Sequence, residues 1–135
     1  MQVIPTRVHG ILDYVVGALL IAAPWLFQFN HGGAETWVPV ALGAATILYS
    51  LCTDYERGVL RLIPMEVHLG LDLMSAVLLA VSPWLFGFRD LVWAPHVVIA
   101  LVEICTVLLS QHQPRDVYRV QHQGEARRRP SGAHG

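Results

Sequence analysis

The chain has 135 residues, which is enough for one small domain, and its composition indicates which kind. Charged residues make up 14% of the sequence and hydrophobic residues 54%, whereas soluble domains carry roughly 25% charged residues. The nine basic residues are all arginines, and the net charge is −1. These figures exclude a disordered chain and a nucleic-acid-binding domain with a broad basic face, and they favour a membrane protein.

Four apolar segments follow one another along the chain, at residues 8–29, 37–51, 67–88 and 91–109. A helix needs about 20 mostly apolar residues to cross the hydrocarbon core of a bilayer. Continuous apolar runs without alternation favour helices over the strands of a closed barrel. The sequence therefore predicts an all-α, polytopic membrane protein with four transmembrane helices.

The connections between these segments differ in length and charge. Residues 30–33 (Asn-His-Gly-Gly) are typical of a turn, and residues 88–90 leave almost no linker, which predicts a tight antiparallel hairpin. The segment 54–66 carries five charged residues, and Pro64 is expected to precede the third helix. We expect residues 1–110 to form the transmembrane domain and residues 111–135 to form a disordered cytoplasmic tail.

Arginines and tryptophans lie on opposite sides of this topology. Eight arginines fall on one side: Arg7, Arg57, Arg61, Arg115, Arg119, Arg127, Arg128 and Arg129. Arg89 falls on the other side, together with Trp25, Trp37, Trp84 and Trp93. Because arginine-rich loops stay in the cytoplasm and indoles favour the membrane interface, we expect a multi-pass protein of the cell membrane with both termini cytoplasmic.

The sequence repeats itself. The pattern from His9 to Asp13 returns from His68 to Asp72, and residues 23–27 return as 82–86, in both cases 59 residues later. Trp-x-Pro at 37–39 returns at 93–95. This indicates an internal duplication of a helical hairpin, with repeat one at residues 5–53 and repeat two at 64–110, and it argues against a cleaved signal peptide at the N-terminus. Two-span units enter and leave on one side, so the repeats should be parallel, related by an approximate two-fold axis along the membrane normal.

The segment Ser82-Pro83-Trp84 and its variant Ala23-Pro24-Trp25 resemble the motif of the SPW-repeat integral membrane proteins. The resemblance covers roughly residues 5–110. It implies a two-helix repeat and is compatible with a bacterial inner membrane, but it implies no activity. In the first copy Ala23 replaces the serine, which argues against an obligatory hydroxyl at that position.

The Pro-Trp pairs have a structural interpretation. Pro24 and Pro83 lack the backbone donor, so each helix should kink or end there. Trp25 and Trp84 would then anchor the chain at the interface, and Trp37 and Trp93 would do so at the start of the following helices. We favour these anchors over the alternative, a ligand site.

Five polar residues within the predicted spans are the candidate functional site: His9, Asp13, His68, Asp72 and Glu103. Each His-Asp pair is four residues apart and shares a helix face. One interpretation is a hydrogen-bonded clamp within each helix. The other is a shared intramembrane site that holds a transition metal, relays protons or ligates haem through the two imidazoles.

The sequence has no Cys-x-x-Cys, phosphate-binding loop, nucleophile elbow or zincin motif. We therefore expect no enzymatic activity, no cofactor, no nucleic-acid partner and no identifiable small-molecule substrate. The expected function is a structural or accessory component that contacts the lipid bilayer and self-associates as a homo-oligomer. The alternatives are a metal- or haem-binding redox component and a proton-linked transport unit acting as an oligomer.

Overall fold

The computed structural model describes residues 3–53, 59–60 and 62–110, which form four helices. These are α1 (Thr6–Leu26), α2 (Ala34–Leu51), α3 (Met65–Leu85) and α4 (Ala94–Leu109). The described part contains two isolated backbone bridges and no named strand, so the all-α prediction is confirmed. The first three helices are long and apolar enough to cross a membrane. The fourth has 16 residues, about 24 Å of helix. The architecture is that of a multi-pass membrane protein.

Two of the apolar segments extend three residues beyond the helices that they contain. The apolar runs continue to Phe29 and Phe88, but α1 and α3 end at Leu26 and Leu85. Just beyond these ends, Gln28 and Gly87 have φ angles of 58° and 74°, a left-handed conformation that terminates a helix. Hydrophobicity reports burial or lipid contact and carries no information about this backbone conformation.

The prolines lie close to the helix ends, as expected, whereas the expected length of the turn between α3 and α4 needs correction. Pro24 and Pro83 lie inside the last turn of their helices, and each helix continues for two residues after its proline. The connection between α3 and α4 spans residues 86–93, not 88–90, because α4 begins only at Ala94, with Pro95 in its first turn. The hairpin itself is present, since α3 packs along α4 as α1 packs along α2.

Small residues allow the helices of the first hairpin to approach closely. A Cβ atom added to Gly43 would lie 2.5 Å from the carbonyl oxygen of Gly17, which is too close for any side chain. In the second hairpin, the small residues Ala76 and Ala100 are fully buried. Such contacts are a common way for helices to associate in lipid, where the hydrophobic effect does not drive helices together.

Two equivalent backbone joints connect the hairpins at one end of the bundle. Ile4 pairs with Ser110, and Ile63 pairs with Thr53. Each joint links the start of one hairpin to the end of the other, and its two amide groups donate to a single carbonyl at 2.7–2.8 Å. The joints therefore fix Thr53 and Ser110 beside the first turns of α3 and α1.

The four tryptophans lie together at the opposite end of the bundle, where α1 and α3 end and α2 and α4 begin. Trp25, Trp37, Trp84 and Trp93 are 51–56% exposed. Their role as membrane anchors stays a prediction. The segment 54–58 with Arg57, Arg61 and the tail 111–135, for which disorder is predicted, lie outside the described residues.

Candidate functional site

Two imidazoles and two carboxylates from α1 and α3 meet in a closed cycle of contacts. His9 Nε2 lies 3.2 Å from Asp13 Oδ1 and 2.9 Å from Asp72 Oδ2. His68 Nε2 lies 3.0 Å from Asp13 Oδ2 and 3.1 Å from Asp72 Oδ2. Each imidazole therefore contacts both carboxylates. We call these four residues the His–Asp ring.

The His–Asp ring combines the two sequence interpretations. The four-residue spacing brings His9 to Asp13 and His68 to Asp72 within one helix, as a clamp requires. The shorter contact of each imidazole nevertheless crosses to the other helix. All four side chains are buried, with exposed fractions between 0% and 6%. The ring thus joins the first hairpin to the second.

Two hydroxyl groups hold the outer nitrogens of the imidazoles. Ser110 Oγ lies 2.7 Å from His9 Nδ1, and Thr53 Oγ1 lies 2.7 Å from His68 Nδ1. Each hydroxyl donates its only proton to the backbone carbonyl four residues earlier in its own hairpin. With the hydroxyl proton on that carbonyl, the hydroxyl oxygen accepts from the imidazole, which places a proton on Nδ1 of each histidine.

The proton on Nδ1 determines which kind of partner Nε2, the imidazole nitrogen inside the ring, requires. A neutral imidazole with a proton on Nδ1 has a lone pair on Nε2. Such a lone pair would face carboxylate oxygens at 2.9–3.2 Å, which is repulsive. In this tautomer the His–Asp ring holds additional protons between its nitrogens and oxygens, or a cation in their place.

The surroundings of the ring differ on its two sides. Tyr49 donates a 2.6 Å hydrogen bond to Asp72 Oδ1 and packs edge-on against His68. The carbonyls of Tyr49 and Thr106 accept the equivalent hydroxyl bonds from Thr53 and Ser110, so these two residues occupy corresponding positions in the two hairpins. The α2 side therefore has a tyrosine where the α4 side has a smaller threonine.

A cleft reaches the His–Asp ring on the threonine side. It lies between α1 and α4, has a volume of about 40 Å³ and exposes His9, Asp13 and Asp72 to its interior. Glu103 and Thr106 line the same cleft. The structure thus places all five residues of the predicted site at or beside one location, although their function stays a prediction.

Sequence reasoning missed the partners Thr53, Ser110 and Tyr49. Their contacts depend on how the hairpins are joined, and no helical periodicity signals that joint. A partial signal was available for Thr53 and Ser110, because both hydroxyl residues come at the end of a hairpin.

A third buried histidine lies at the tryptophan end of the bundle. His96 is 1% exposed and packs between Phe29 and Phe88, with ring centroids 5.1 and 5.0 Å away. Its Nε2 lies 3.1 Å from the carbonyl oxygen of Glu35, so it donates there. The Pro-Trp pairs also belong to this end, since Trp25 follows Asp13 by about 18 Å of helix. They do not contribute to the His–Asp ring.

Comparison with known proteins gives one finding. A family model described as the SPW repeat domain matches residues 7–110. Neither the curated proteins nor the solved structures gave a match.

Proposed function

Because the chain belongs to the SPW repeat family, we propose that it is a structural or accessory protein of the cell membrane rather than an enzyme. The observation that carries this proposal is the His–Asp ring, which connects the two hairpins through buried charge-assisted contacts. Polar contacts of this kind stabilise helix association where the solvent is lipid. The role of the ring is to make two hairpins behave as one unit.

A test of this role uses the hairpins as separate chains. Residues 1–58 with an affinity tag and residues 59–135 without one are co-expressed, solubilised in a mild detergent and purified through the tag. We expect the second hairpin to co-purify. Replacing both ring histidines (His9→Ala with His68→Ala) should abolish co-purification, whereas His31→Ala, an exposed histidine in the α1–α2 turn, should not. Unchanged co-purification of the double variant would contradict the proposed role.

In the proposed orientation, the protein lies in a bacterial inner membrane and both of its termini face the cytoplasm. It rests on the arginine distribution, and the recurring motifs support an internal duplication. A variant without Cys52 and Cys105 provides the background for labelling. With a maleimide that does not cross membranes, His31→Cys should react in intact cells and Arg57→Cys only after lysis. The reverse pattern would refute the orientation.

Proton-linked transport has less support. In the described part of the chain, the cleft reaches the His–Asp ring from the α1–α4 side, while Tyr49 covers the ring on the α2 side. This cleft opens laterally between two helices, whereas a transport path has to connect the two faces of the membrane. Four short helices offer little room for one within a single chain.

A further inference from the structure

The His–Asp ring has the donor set and the shape of a metal site. Its four potential ligand atoms, two imidazole nitrogens and two carboxylate oxygens, lie within 4.8 Å of one another. Imidazole and carboxylate ligands together suit a divalent transition metal such as zinc. We propose that the His–Asp ring binds one divalent transition-metal ion, which goes beyond its proposed structural role.

The dimensions of the ring agree with this proposal. Its nitrogen–oxygen contacts measure 2.9–3.2 Å. Asp72 contacts both imidazoles through Oδ2, whereas Asp13 uses a different oxygen for each, and the four ligand atoms lie within 4.8 Å of one another. A tetrahedral site needs its ligands roughly 3.4 Å apart, so the ring would expand by a few tenths of an ångström.

The charge of the ring also fits a divalent cation. With Nδ1 protonated and Nε2 free, both imidazoles are neutral, and the two ionised carboxylates contribute −2. One divalent ion balances this charge, as do two protons on the Nε2 atoms. The metal and these two protons compete for the same places, so binding releases about two protons per ion. Within the described part of the chain, Tyr49 faces the ring through its hydrogen bond to Asp72, and Glu103 faces it through the cleft.

The outer partners of the imidazoles are those that a metal site requires. A histidine that ligates a metal through one nitrogen usually donates the other N–H to a fixed acceptor, which sets the tautomer and the orientation. Thr53 and Ser110 provide such acceptors at 2.7 Å. Both hydroxyls are fully buried and are held in turn by backbone carbonyls.

The cleft between α1 and α4 gives an ion a way in. Its volume of about 40 Å³ accommodates a metal ion with a water molecule, since one water occupies about 30 Å³ of liquid. Glu103 lies on this route and adds a further carboxyl group beside the ring. Haem does not fit, because both imidazoles point at the same carboxylates and the cleft is far below the 300 Å³ at which small-molecule pockets begin.

Zinc binding to the intact, full-length protein tests the proposal. The protein is purified in mild detergent, stripped with a chelator and titrated with Zn²⁺ calorimetrically in two buffers with different ionisation enthalpies. We expect one zinc per chain and, from the difference between buffers, release of about two protons per ion. Absence of stoichiometric binding by the wild-type protein would overturn the proposal.

Two sets of variants locate the site. His9→Ala with His68→Ala should abolish binding, and the matched control His31→Ala should leave it unchanged. Because the double variant loses interhelical contacts as well as ligands, Ser110→Ala provides a second test. It keeps all four ligands and should weaken zinc binding 10–100-fold through the lost acceptor. Binding that is unaffected in both variants would place the zinc elsewhere and refute the site.

The test of zinc binding and the test of the proposed structural role can give different results. Split hairpins that co-purify in the presence of a chelator support the structural role alone. A zinc-dependent association would support both proposals.

Discussion

Asp72→Asn perturbs the His–Asp ring with almost no change in side-chain volume. The carboxylate accepts from His9 and His68 through Oδ2 and from Tyr49 through Oδ1. An asparagine keeps one acceptor oxygen, which the tyrosine hydroxyl can retain. The NH2 group of the asparagine then faces two imidazole N–H groups. All of these groups are hydrogen-bond donors, and none of them can accept.

The expected loss of stability follows from these contacts. Interhelical hydrogen bonds in membrane proteins contribute on average about 0.6 and at most about 1.7 kcal/mol. A buried donor left without an acceptor adds a penalty of about 1–3 kcal/mol. For one lost interhelical bond, one weakened contact within α3 and one unpaired donor, we expect Asp72→Asn to lower the free energy of unfolding by about 2–4 kcal/mol.

The assay is unfolding in mixed micelles of a mild detergent and dodecyl sulfate, followed by far-ultraviolet circular dichroism. A chelator is present throughout, so that the measurement reports hydrogen bonding and not metal binding. Asp90→Asn is the matched control, because Asp90 is exposed in the turn between α3 and α4, and it should change stability by less than about 0.5 kcal/mol. An equally small effect of Asp72→Asn would refute our account of the ring.

Three further predictions concern single side chains and use the same unfolding assay. Gly43→Ala should destabilise the protein by about 1–3 kcal/mol, because the added Cβ collides with the facing helix, whereas Gly70→Ala, with no neighbour within 4 Å, should not. Gln28→Gly should stabilise the protein and Gly87→Gln should destabilise it, each by about 1 kcal/mol, because both positions have positive φ. Effects of the same sign for the two substitutions would contradict this prediction. Tyr49→Phe should cost about 1 kcal/mol through the lost hydrogen bond to the buried carboxylate, and an unchanged stability would show that this bond contributes nothing.

The coarse fold and the membership of the family follow from patterns within the sequence. Apolar runs predict the four helices, and the Ser-Pro-Trp and Ala-Pro-Trp segments predict the family that the residue 7–110 match confirms. Helix ends were less predictable. Trp25, Leu26 and Phe27 are as apolar as the helix before them, and only the backbone at Gln28 shows that the helix has finished.

The candidate site was predictable within each helix but not between helices. The four-residue spacing alone places His9 beside Asp13 and His68 beside Asp72. The crossed contacts depend on how the two hairpins are placed against each other. The same holds for Ser110, which reaches His9 across 101 positions of sequence because a backbone joint at Ile4 brings the chain ends together.

Because Tyr49 and Thr106 differ, the α2 side and the α4 side of the His–Asp ring are not equivalent. Two separate copies of one hairpin, arranged around a two-fold axis, would necessarily carry the same residue at both positions. Both sides would then have the same opening to the His–Asp ring, or both would be closed. In a single chain the two positions are independent, so a bulky phenol covers one side while a small hydroxyl residue and Glu103 line the opening on the other. Among the described residues, the cleft that reaches the centre of this protein therefore opens in one direction around the bundle.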